Sequence, residues 1–245
     1  MREEQFLRLE LLIGKENVEK LHRKRITLVG AGAVGGYAFE SLVRSGIGFI
    51  RIVDFDTFCL SNLNRQILAT YDTIGMPKVD AAKTRALSIN PDMIIESVNA
   101  FADDSNYEEI VKDADLVIDC IDSVDSKVGL MRICEEKDIP VISSMGAALR
   151  RDISRIRVTT LDKTSVCPLA KAVRTKARKL DLNLKRVKVV FSDEEVVFSY
   201  SGSSGLGSLA PVTAVFGQNI ANEALKTLIG EDEFYALHQS GTGEE

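Results

Sequence analysis

The chain has 245 residues, a length that suits one large α/β domain or two small ones. Hydrophobic residues make up 45% of it, enough for a buried core, and the net charge of −5 gives the whole chain no general affinity for nucleic acid. There is no run of about 20 apolar residues and no apolar signal-peptide core, so we expect neither a membrane span nor secretion. Four cysteines, none in a CxxC pair, are typical of a reducing cytoplasm and predict no zinc site: Cys59, Cys120, Cys134 and Cys167.

The first half of the chain alternates apolar strands with helical segments. Strands are predicted at Ile26–Val29, Ile50–Asp54, Ile94–Val98, Leu116–Cys120 and Pro140–Ser143. Helices are predicted at Val34–Ser45, Pro77–Ile89, Tyr107–Lys112 and Lys127–Lys137. This alternation implies crossover connections, and it predicts an α/β fold with a Rossmann-like, mainly parallel twisted sheet and helices on both faces.

The second half is organised differently. Its predicted elements are strands at Arg155–Thr160 and Val187–Phe191, a candidate third strand at Glu195–Tyr200, a basic helical segment at Cys167–Leu180, a Gly/Ser stretch at Ser201–Ser208 and an apolar helix at Val212–Ile229. These strands are too few and too short to make a core of their own. We therefore predict a single domain over residues 1–245, in which a nucleotide-binding half (1–150) is followed by a sheet extension (151–245).

A glycine-rich motif follows the first strand and opens the first crossover helix. It reads Gly30-Ala31-Gly32-Ala33-Val34-Gly35, a G-x-G-x-x-G in the context that nucleotide binding requires. Gly30, Gly32 and Gly35 allow a tight turn close to phosphate, and the helix N-terminus offers free N–H groups. Asp54 ends the next strand, where a carboxylate can bind ribose hydroxyls. The motif predicts a nucleotide site but does not distinguish NAD, FAD and ATP.

The residues after Asp54 favour ATP. The segment DFDTFCLSNLNRQ has more polar groups than a dinucleotide needs, whereas three phosphates and a metal ion need further cations and a carboxylate. Arg65 and Lys78 provide cations, and Asp122 provides a carboxylate just past the fourth strand. Since parallel strands deliver their carboxyl ends to one edge, we predict that one nucleotide is bound by Asp54, Asp56, Asn62, Arg65, Gln66, Lys78 and Asp122. The alternatives are solvated surface charges for the two cations and a helix N-cap for Asp122.

Three segments carry a resemblance to a known family: GAGAVGGYAFESLVRSGIGFIRIVDFDTFCLSNLNRQ, GMPKVDAAKTRALSINP and DLVIDCIDSVDSK. Over roughly residues 6–160 the chain resembles the ubiquitin-activating-enzyme-like adenylyltransferases, in which a substrate carboxylate attacks the α-phosphate of ATP. The resemblance implies that Asp54 holds the ribose and that Asp122 binds Mg²⁺. It also implies phosphate contacts from Asn62, Arg65, Gln66 and Lys78. Catalytic roles are thereby implied for Arg8, Arg65, Lys78 and Asp122.

By the same resemblance, Arg8 would reach into the ATP site of a partner subunit, which implies a homodimer. The alternative for Arg8 is an exposed position on an amphipathic helix. A third possibility for the whole chain, a catalytically silent nucleotide-binding scaffold, is disfavoured by the intact set of Arg65, Lys78 and Asp122.

Two substrates remain open within this family. One is the C-terminus of a ubiquitin-like or sulfur-carrier protein, and the other is the threonyl carboxylate of threonylcarbamoyladenosine in tRNA. The lack of CxxC pairs, and the likeness of VTTLDKTSVCPLAKAVRTKARK and VVFSDEE to dehydratase segments, favour tRNA. Cys167 and Asp193 depart from the dehydratase pattern, and a thioester role for Cys167 would require basic neighbours. The resemblance further implies a monovalent cation and a possible sulfur-transfer partner of the cysteine desulfurase type.

The same region is strongly basic. A basic stripe on an acidic protein suits RNA phosphates, and the alternative is a solvated helix face. The candidate RNA-binding residues are Lys171, Arg174, Lys176, Arg178 and Lys179.

Overall fold

A computed structural model describes residues 4–196 and 206–236 of the chain. Its centre is one seven-stranded sheet with the order β3-β2-β1-β4-β5-β7-β6, in which every neighbouring pair is parallel except β7 and β6. The strands are β1 (Arg25–Val29), β2 (Phe49–Val53), β3 (Ile94–Val98), β4 (Leu116–Asp119), β5 (Val141–Ser144), β6 (Ile156–Thr160) and β7 (Val187–Ser192). The predicted mainly parallel sheet, extended by strands of the second half, is confirmed.

Helices cover both faces of this sheet, as predicted. They are α1 (Leu7–Ile13), α2 (Lys15–His22), α3 (Gly35–Arg44), α4 (Lys78–Ile89), α5 (Tyr107–Val111), α6 (Val124–Glu136), α7 (Pro168–Lys179), α8 (Ala210–Ile229) and α9 (Glu231–Tyr235). Within residues 4–196 and 206–236, no helix combines the length and the hydropathy needed to cross a membrane.

Two separate hydrophobic clusters lie on the two faces. One packs α1 to α4 and α8 against the sheet, with Phe39 and Phe216 among its fully buried side chains. The other packs α5, α6 and α7 against the opposite face, around Val128 and Val173. Alternate residues of a strand enter different clusters, as the period of a β-strand requires: Leu28 joins the first and Val29 the second.

Three predicted elements differ from the structure. The helical N-terminus is divided into α1 and α2 because Gly14 has a φ of +82°, a conformation that interrupts a helix. Helix α6 begins at Val124, before the predicted Lys127, because Ser123 forms its N-cap. Of the candidate strand Glu195–Tyr200, the first two residues form no strand and residues 197–200 lie outside the described ranges, as does most of Ser201–Ser208.

A buried carboxylate joins α3 to α4. The side chain of Glu40 is 9% exposed, and Arg85 donates to both of its oxygens at 2.8 and 3.0 Å. Arg44 adds two bonds of 2.7 and 2.9 Å to Oε1. Burial alone raises the pKa of Glu40, but the hydrogen bonds and charges of the two arginines outweigh it and lower the pKa below 4.5. The ionised form therefore stabilises the contact between these helices.

Because the pKa of Glu40 is lowered by folding, its contribution is present above pH 4.5 and is lost as the pH falls through the folded pKa. We expect Glu40→Gln to reduce the free energy of unfolding at pH 7 by about 1–3 kcal/mol, the usual value for hydrogen bonds to charged groups. Urea unfolding of both proteins at a series of pH values checks this. The difference between them should shrink below pH 4.5, and a difference independent of pH would contradict it.

Candidate active site

The site lies where the strand order reverses. From β1 the chain continues outward through β2 and β3 on one side, and β4 and β5 lie on the other. The loops that leave the carboxyl ends of β1 and β4 therefore diverge and form a crevice between them, the usual place for a ligand in an open α/β sheet. The glycine motif follows β1, and Asp122 follows β4.

The glycines of the phosphate loop are required by close backbone contacts. Gly30 has a φ of +96°, and a Cβ there would lie 2.7 Å from the carbonyl oxygen of Cys120. A Cβ on Gly35 would lie 1.8 Å from the carbonyl oxygen of Gly30. At Gly32, by contrast, a Cβ would meet nothing within 4 Å. The space over Gly32, beside the N-terminus of α3, is thus open to a phosphate.

Asp54 ties this loop to the segment that follows β2. Its Oδ2 accepts a 2.7 Å hydrogen bond from the N–H of Ala31, and its Oδ1 accepts one of 2.9 Å from the N–H of Asp56. The residue is 8% exposed. Each carboxylate oxygen can accept a further bond, so Asp54 is able both to fix the loop and to receive a ribose hydroxyl.

Lys78 is the first residue of α4, and its side chain is 6% exposed. Its Nζ lies 2.8 Å from Oδ2 of Asp56 and 3.9 Å from Oδ1 of Asp54. Lys78, Asp54 and Asp56 are thus brought together as predicted from the sequence. The two carboxylates hold the ammonium group at the edge of the crevice, where a phosphate can share it.

Three further predicted residues lie in the loop between β2 and α4. The Oδ1 of Asn62 accepts a 3.1 Å bond from the N–H of Cys59, so it stabilises a short 3₁₀ turn. Gln66 is 6% exposed, and its buried Oε1 has no hydrogen-bond partner within residues 4–196 and 206–236. Arg65 is half-buried and donates to the carbonyl of Ser61 at 2.7 Å and to Asn64 at 2.9 Å. Of the three, Gln66 has the unmet polar atom that a ligand would satisfy.

Asp122 lies three residues beyond the end of β4, and its side chain is exposed. It is not the N-cap of α6, because that position belongs to Ser123, whose hydroxyl accepts from the N–H of Ser126 at 3.4 Å. Among the described residues, Asp122 has neither a hydrogen-bond partner nor an ion-pair partner for its carboxylate. The carboxylate is thus free to bind a ligand.

A metal ion bound by Asp122 would need further ligands to complete its coordination. The described part of the chain contains no group of three His, Cys, Asp or Glu residues that could hold a metal ion. One free carboxylate suits Mg²⁺, which proteins usually bind through one or two carboxylates while phosphate and water complete its coordination. Asp122 fits that role, since Asp54 and Asp56 are already engaged by Lys78 and backbone N–H groups.

A buried polar cluster next to the crevice was not predicted. Lys127, Asp119 and Ser143 bond to one another inside the protein, and the side chains of the first two are 0% exposed. A sequence signal does exist, since Asp119 ends an otherwise apolar strand and Lys127 follows eight residues later in DLVIDCIDSVDSK. From the sequence, only Asp122 of this segment was predicted to have a role. Because the helix was predicted to start at Lys127, the sequence did not indicate that the Lys127 side chain points into the protein.

Arg8 lies on α1, near the end of α4 that is opposite Lys78. It is exposed on α1, beside the exposed side chains of Leu7, Leu11 and Leu12. Gln5, one turn earlier, bonds to the carbonyl of Ile89, the last residue of α4. Since Lys78 begins that same helix, the structure does not bring Arg8 to the site within one chain.

The cysteines divide by burial. Burial raises the pKa of Cys120 and of Cys134 to about 12 each, so both thiols stay protonated. Cys167 is 2% exposed as the N-cap residue of α7, with its Sγ packed near Gly146. Cys59 is exposed, and a hydrogen bond from Ser61 lowers its pKa. The burial of Cys167 offers no opening for a substrate thioester.

The basic helix α7 packs against α6, the helix that follows Asp122, but its charges are not all free. Lys176 forms an ion pair with Asp125, in the first turn of α6 and only three residues from Asp122. Arg174 is turned inward and donates to the backbone and hydroxyl of Thr164. Three of the five candidate RNA-binding residues are exposed on this helix: Lys171, Arg178 and Lys179.

Acidic residues from elsewhere neutralise other parts of the basic region. Asp193 pairs with Arg155 at 2.5 Å and with Arg157 at 3.4 Å. Arg186 pairs with Asp138, and Lys188 pairs with Glu223. These partners are distant in sequence, so the run of charge in the sequence overstates the positive surface of the fold.

Comparison with known proteins agrees with this geometry. The model of the ThiF family matches residues 5–240. The tRNA threonylcarbamoyladenosine dehydratase of Bacillus subtilis is 43% identical, over 79% of this chain and 76% of that protein. The Escherichia coli protein of the same name is 32% identical, over 90% of this chain and 91% of that one. A crystal structure of the E. coli dehydratase in complex with ATP has a TM-score of 0.87 at 34% identity, covering 95% of this chain and 97% of that one.

The family model covers the glycine-rich loop, Lys78 and Asp122, and the two relatives each match most of the chain. The chain therefore belongs to the ThiF family, within the group of tRNA threonylcarbamoyladenosine dehydratases.

Proposed function

We propose that this protein catalyses the ATP-dependent dehydration of threonylcarbamoyladenosine in tRNA. The observation that carries the proposal is the likeness to the B. subtilis and E. coli dehydratases, which extends over most of each protein. The site agrees with it, since a phosphate loop, a ribose-binding carboxylate, a cation and a free carboxylate meet at the switch point of the sheet.

The reaction has two steps. A carboxylate oxygen of the substrate attacks the α-phosphorus of ATP, and pyrophosphate leaves. This replaces a poorly electrophilic carboxylate by an acyl adenylate with a good leaving group. A nucleophile of the same side chain then attacks the acyl carbon and closes a ring, and AMP leaves with the former carboxylate oxygen. The nucleoside has then lost one water molecule, and no nucleophile from the enzyme is needed.

The protein binds and aligns the reacting phosphates. The loop from Gly30 to Gly35 and the N-terminus of α3 would receive phosphate oxygens, and Asp54 would hold the ribose. Lys78 would share its charge with the phosphates, together with Arg65, Gln66 and Asn62. We propose that Asp122 holds a Mg²⁺ ion, which when bound neutralises charge on the triphosphate. Alignment and charge neutralisation are the main contributions in this type of chemistry.

The tRNA substrate would lie along α7. Exposed Lys171, Arg178 and Lys179 are on this helix, and Lys176 is joined to the turn that follows Asp122. This ion pair holds α7 against the start of α6, and we propose that the exposed cations of α7 bind tRNA whose modified base enters the crevice. We propose that Arg174 stabilises the fold and does not bind tRNA, because its guanidinium group donates a hydrogen bond to Thr164.

We also propose a homodimer. Arg8 cannot serve the site of its own chain, whereas exposed Leu7, Leu11 and Leu12 give α1 an apolar side suited to a partner. In a symmetric pair each Arg8 would enter the other subunit's site. Cytoplasmic location, a monovalent cation in the second half of the chain and a sulfur-transfer protein as partner stay predictions from the sequence.

The direct test is mass spectrometry of nucleosides from tRNA that carries threonylcarbamoyladenosine, after incubation with the protein and Mg-ATP. We expect that nucleoside to lose one water molecule only when ATP is present, with release of AMP and pyrophosphate. No loss, with a B. subtilis dehydratase control that works, would contradict the proposal. ATP–pyrophosphate exchange driven by a carrier protein that ends in Gly-Gly would then favour the alternative substrate.

The roles of Asp122 and Arg8 predict complementation between two inactive variants. We expect Asp122→Asn and Arg8→Ala each to lower kcat by a factor on the order of 10² or more, since each removes charge stabilisation from the transition state. When the two variants are mixed so that their subunits exchange, activity should return, because each mixed dimer has one site with both residues intact. Turnover of tRNA after mixing is the measurement.

Asp138→Asn is the matched control for Asp122→Asn. It also removes an exposed carboxylate, but at the opposite edge of the sheet, where Asp138 precedes β5. It should leave kcat unchanged. No recovery of activity in subunit mixtures that demonstrably contain mixed dimers would contradict the assignment of Arg8 to the partner's site.

The basic surface predicts a change in salt dependence. Replacing Lys171, Arg178 and Lys179 together by alanine should weaken tRNA binding and lower the slope of log K against log salt by about 0.7–0.9 for each lost phosphate contact. The control replaces Lys15, Arg23 and Lys83, three exposed cations on or directly after α2 and α4, which cover the other face of the sheet. An unchanged slope in the first variant, or an equal change in the control, would indicate that α7 is a solvated helix face that does not bind tRNA.

A further inference from the structure

Lys127, Asp119 and Ser143 form a closed polar cluster in the core. The Nζ of Lys127, on α6, lies 3.0 Å from Oδ2 of Asp119, at the end of β4, and 3.2 Å from Oγ of Ser143, on β5. The Ser143 hydroxyl donates to the same Oδ2 at 2.6 Å. Lys127 and Asp119 have 0% exposed side chains, so both charges are entirely out of water.

Stability alone does not account for such a pair. Removing two charges from water costs several kcal/mol for each ion, and their attraction only roughly offsets that cost. Apolar residues of similar volume often make a core as stable or more stable. The surrounding cluster of Val117, Val128 and Met131 shows that apolar side chains pack readily at this depth.

The position of the cluster suggests what it does. The second oxygen of Asp119, Oδ1, accepts a 3.0 Å bond from the N–H of Ile121, the residue directly before Asp122. Ser123, directly after Asp122, is fixed as the N-cap of α6. The backbone is therefore held on both sides of Asp122, while the Asp122 carboxylate itself has no partner among the described residues.

The same turn also touches the phosphate loop. The Cys120 carbonyl lies where a Cβ on Gly30 would be 2.7 Å away, so the two loops are in direct backbone contact. Asp119 is linked through one oxygen to this turn and through the other to Lys127 and Ser143. A rotation of its carboxylate would release Ile121 and move Asp122 relative to the phosphates.

We propose that Lys127 is a positioning residue for the adenylation reaction. By fixing the orientation of the Asp119 carboxylate, it holds the Asp122 carboxylate at the distance from the phosphate loop that Mg-ATP requires. Lys127 touches neither nucleotide nor substrate, and acts only through Asp119 and the Ile121 N–H. This inference rests on the proposed function for the role of Asp122.

The test replaces the ion pair by neutral side chains of similar size, Asp119→Asn with Lys127→Met. Three quantities are measured on the full-length protein: the melting temperature, the affinity for ATP with Mg²⁺ and with EDTA, and kcat and KM on modified tRNA. We expect a nearly unchanged melting temperature and an unchanged affinity for ATP in EDTA. The gain in ATP affinity caused by Mg²⁺, and kcat, should each fall on the order of tenfold to a hundredfold, with KM for tRNA unchanged.

Lys127→Arg is the conservative variant. It keeps a cation beside Asp119, so its Mg²⁺-dependent gain in ATP affinity should be closer to that of the unaltered protein than to that of the neutral pair. The matched control is Arg51→Met, which removes another buried cation of the same sheet, one that donates to the backbone of α5 at 2.8–3.0 Å. It should lower the melting temperature and leave the Mg²⁺ effect unchanged.

The inference is overturned if the neutral pair folds and keeps both the Mg²⁺ effect and kcat. It is also overturned if activity and melting temperature fall in parallel in the neutral pair and in Arg51→Met, since the role would then be structural. If the neutral pair does not fold, Ser143→Ala, which removes one hydrogen bond to Oδ2 of Asp119 and no charge, is tested by the same criteria. Failure of the proposed function has a different signature: the unaltered protein would show the Mg²⁺-dependent gain in ATP affinity but would not dehydrate the nucleoside.

Discussion

The contact between the Gly30 backbone and the Cys120 carbonyl is the constraint on which the site depends. It is possible only because β1 and β4 are neighbours and because residue 30 has no side chain. It brings the glycine-rich loop against the turn that bears Asp122, although 92 residues separate Gly30 from Asp122 in the sequence. Asp54 joins the same loop to the segment after β2. The crevice is therefore built from three loops that are held together by this contact and by the Asp54 carboxylate.

Much of the fold was predictable because each signal is local. Strands such as Ile94–Val98, whose predicted bounds the structure reproduces without change, are short segments bounded by turns. The residues Gly30, Asp54, Lys78 and Asp122 were identifiable because their spacing relative to those strands is fixed by the crossover topology. The division of the N-terminal helix at Gly14 depended on the dihedral angle of one residue, which periodicity does not report.

What sequence reasoning missed depends on long-range pairing of charge. A basic residue looks the same in the sequence whether it faces water or a carboxylate from another element. Arg155 pairs with Asp193, 38 residues away in the sequence, and Lys188 pairs with Glu223, 35 residues away. Lys127 turns inward to Asp119 for the same reason, since only the packed structure decides which face of α6 meets the sheet. Whether a basic side chain is free to bind RNA or stabilises the fold therefore depends on its burial and not on its residue type.

The short length of α1 has a consequence for the order in which a working enzyme forms. A helix of seven residues has little stability by itself, so α1 depends on buried Phe6 and Ile13 packing against the rest of the chain. Arg8 and the exposed leucines would therefore take up their positions on the surface only when Phe6 and Ile13 are packed. In the homodimer proposed above, assembly would therefore depend on folding, because a subunit whose core has not closed has no properly placed Arg8 for its partner's site.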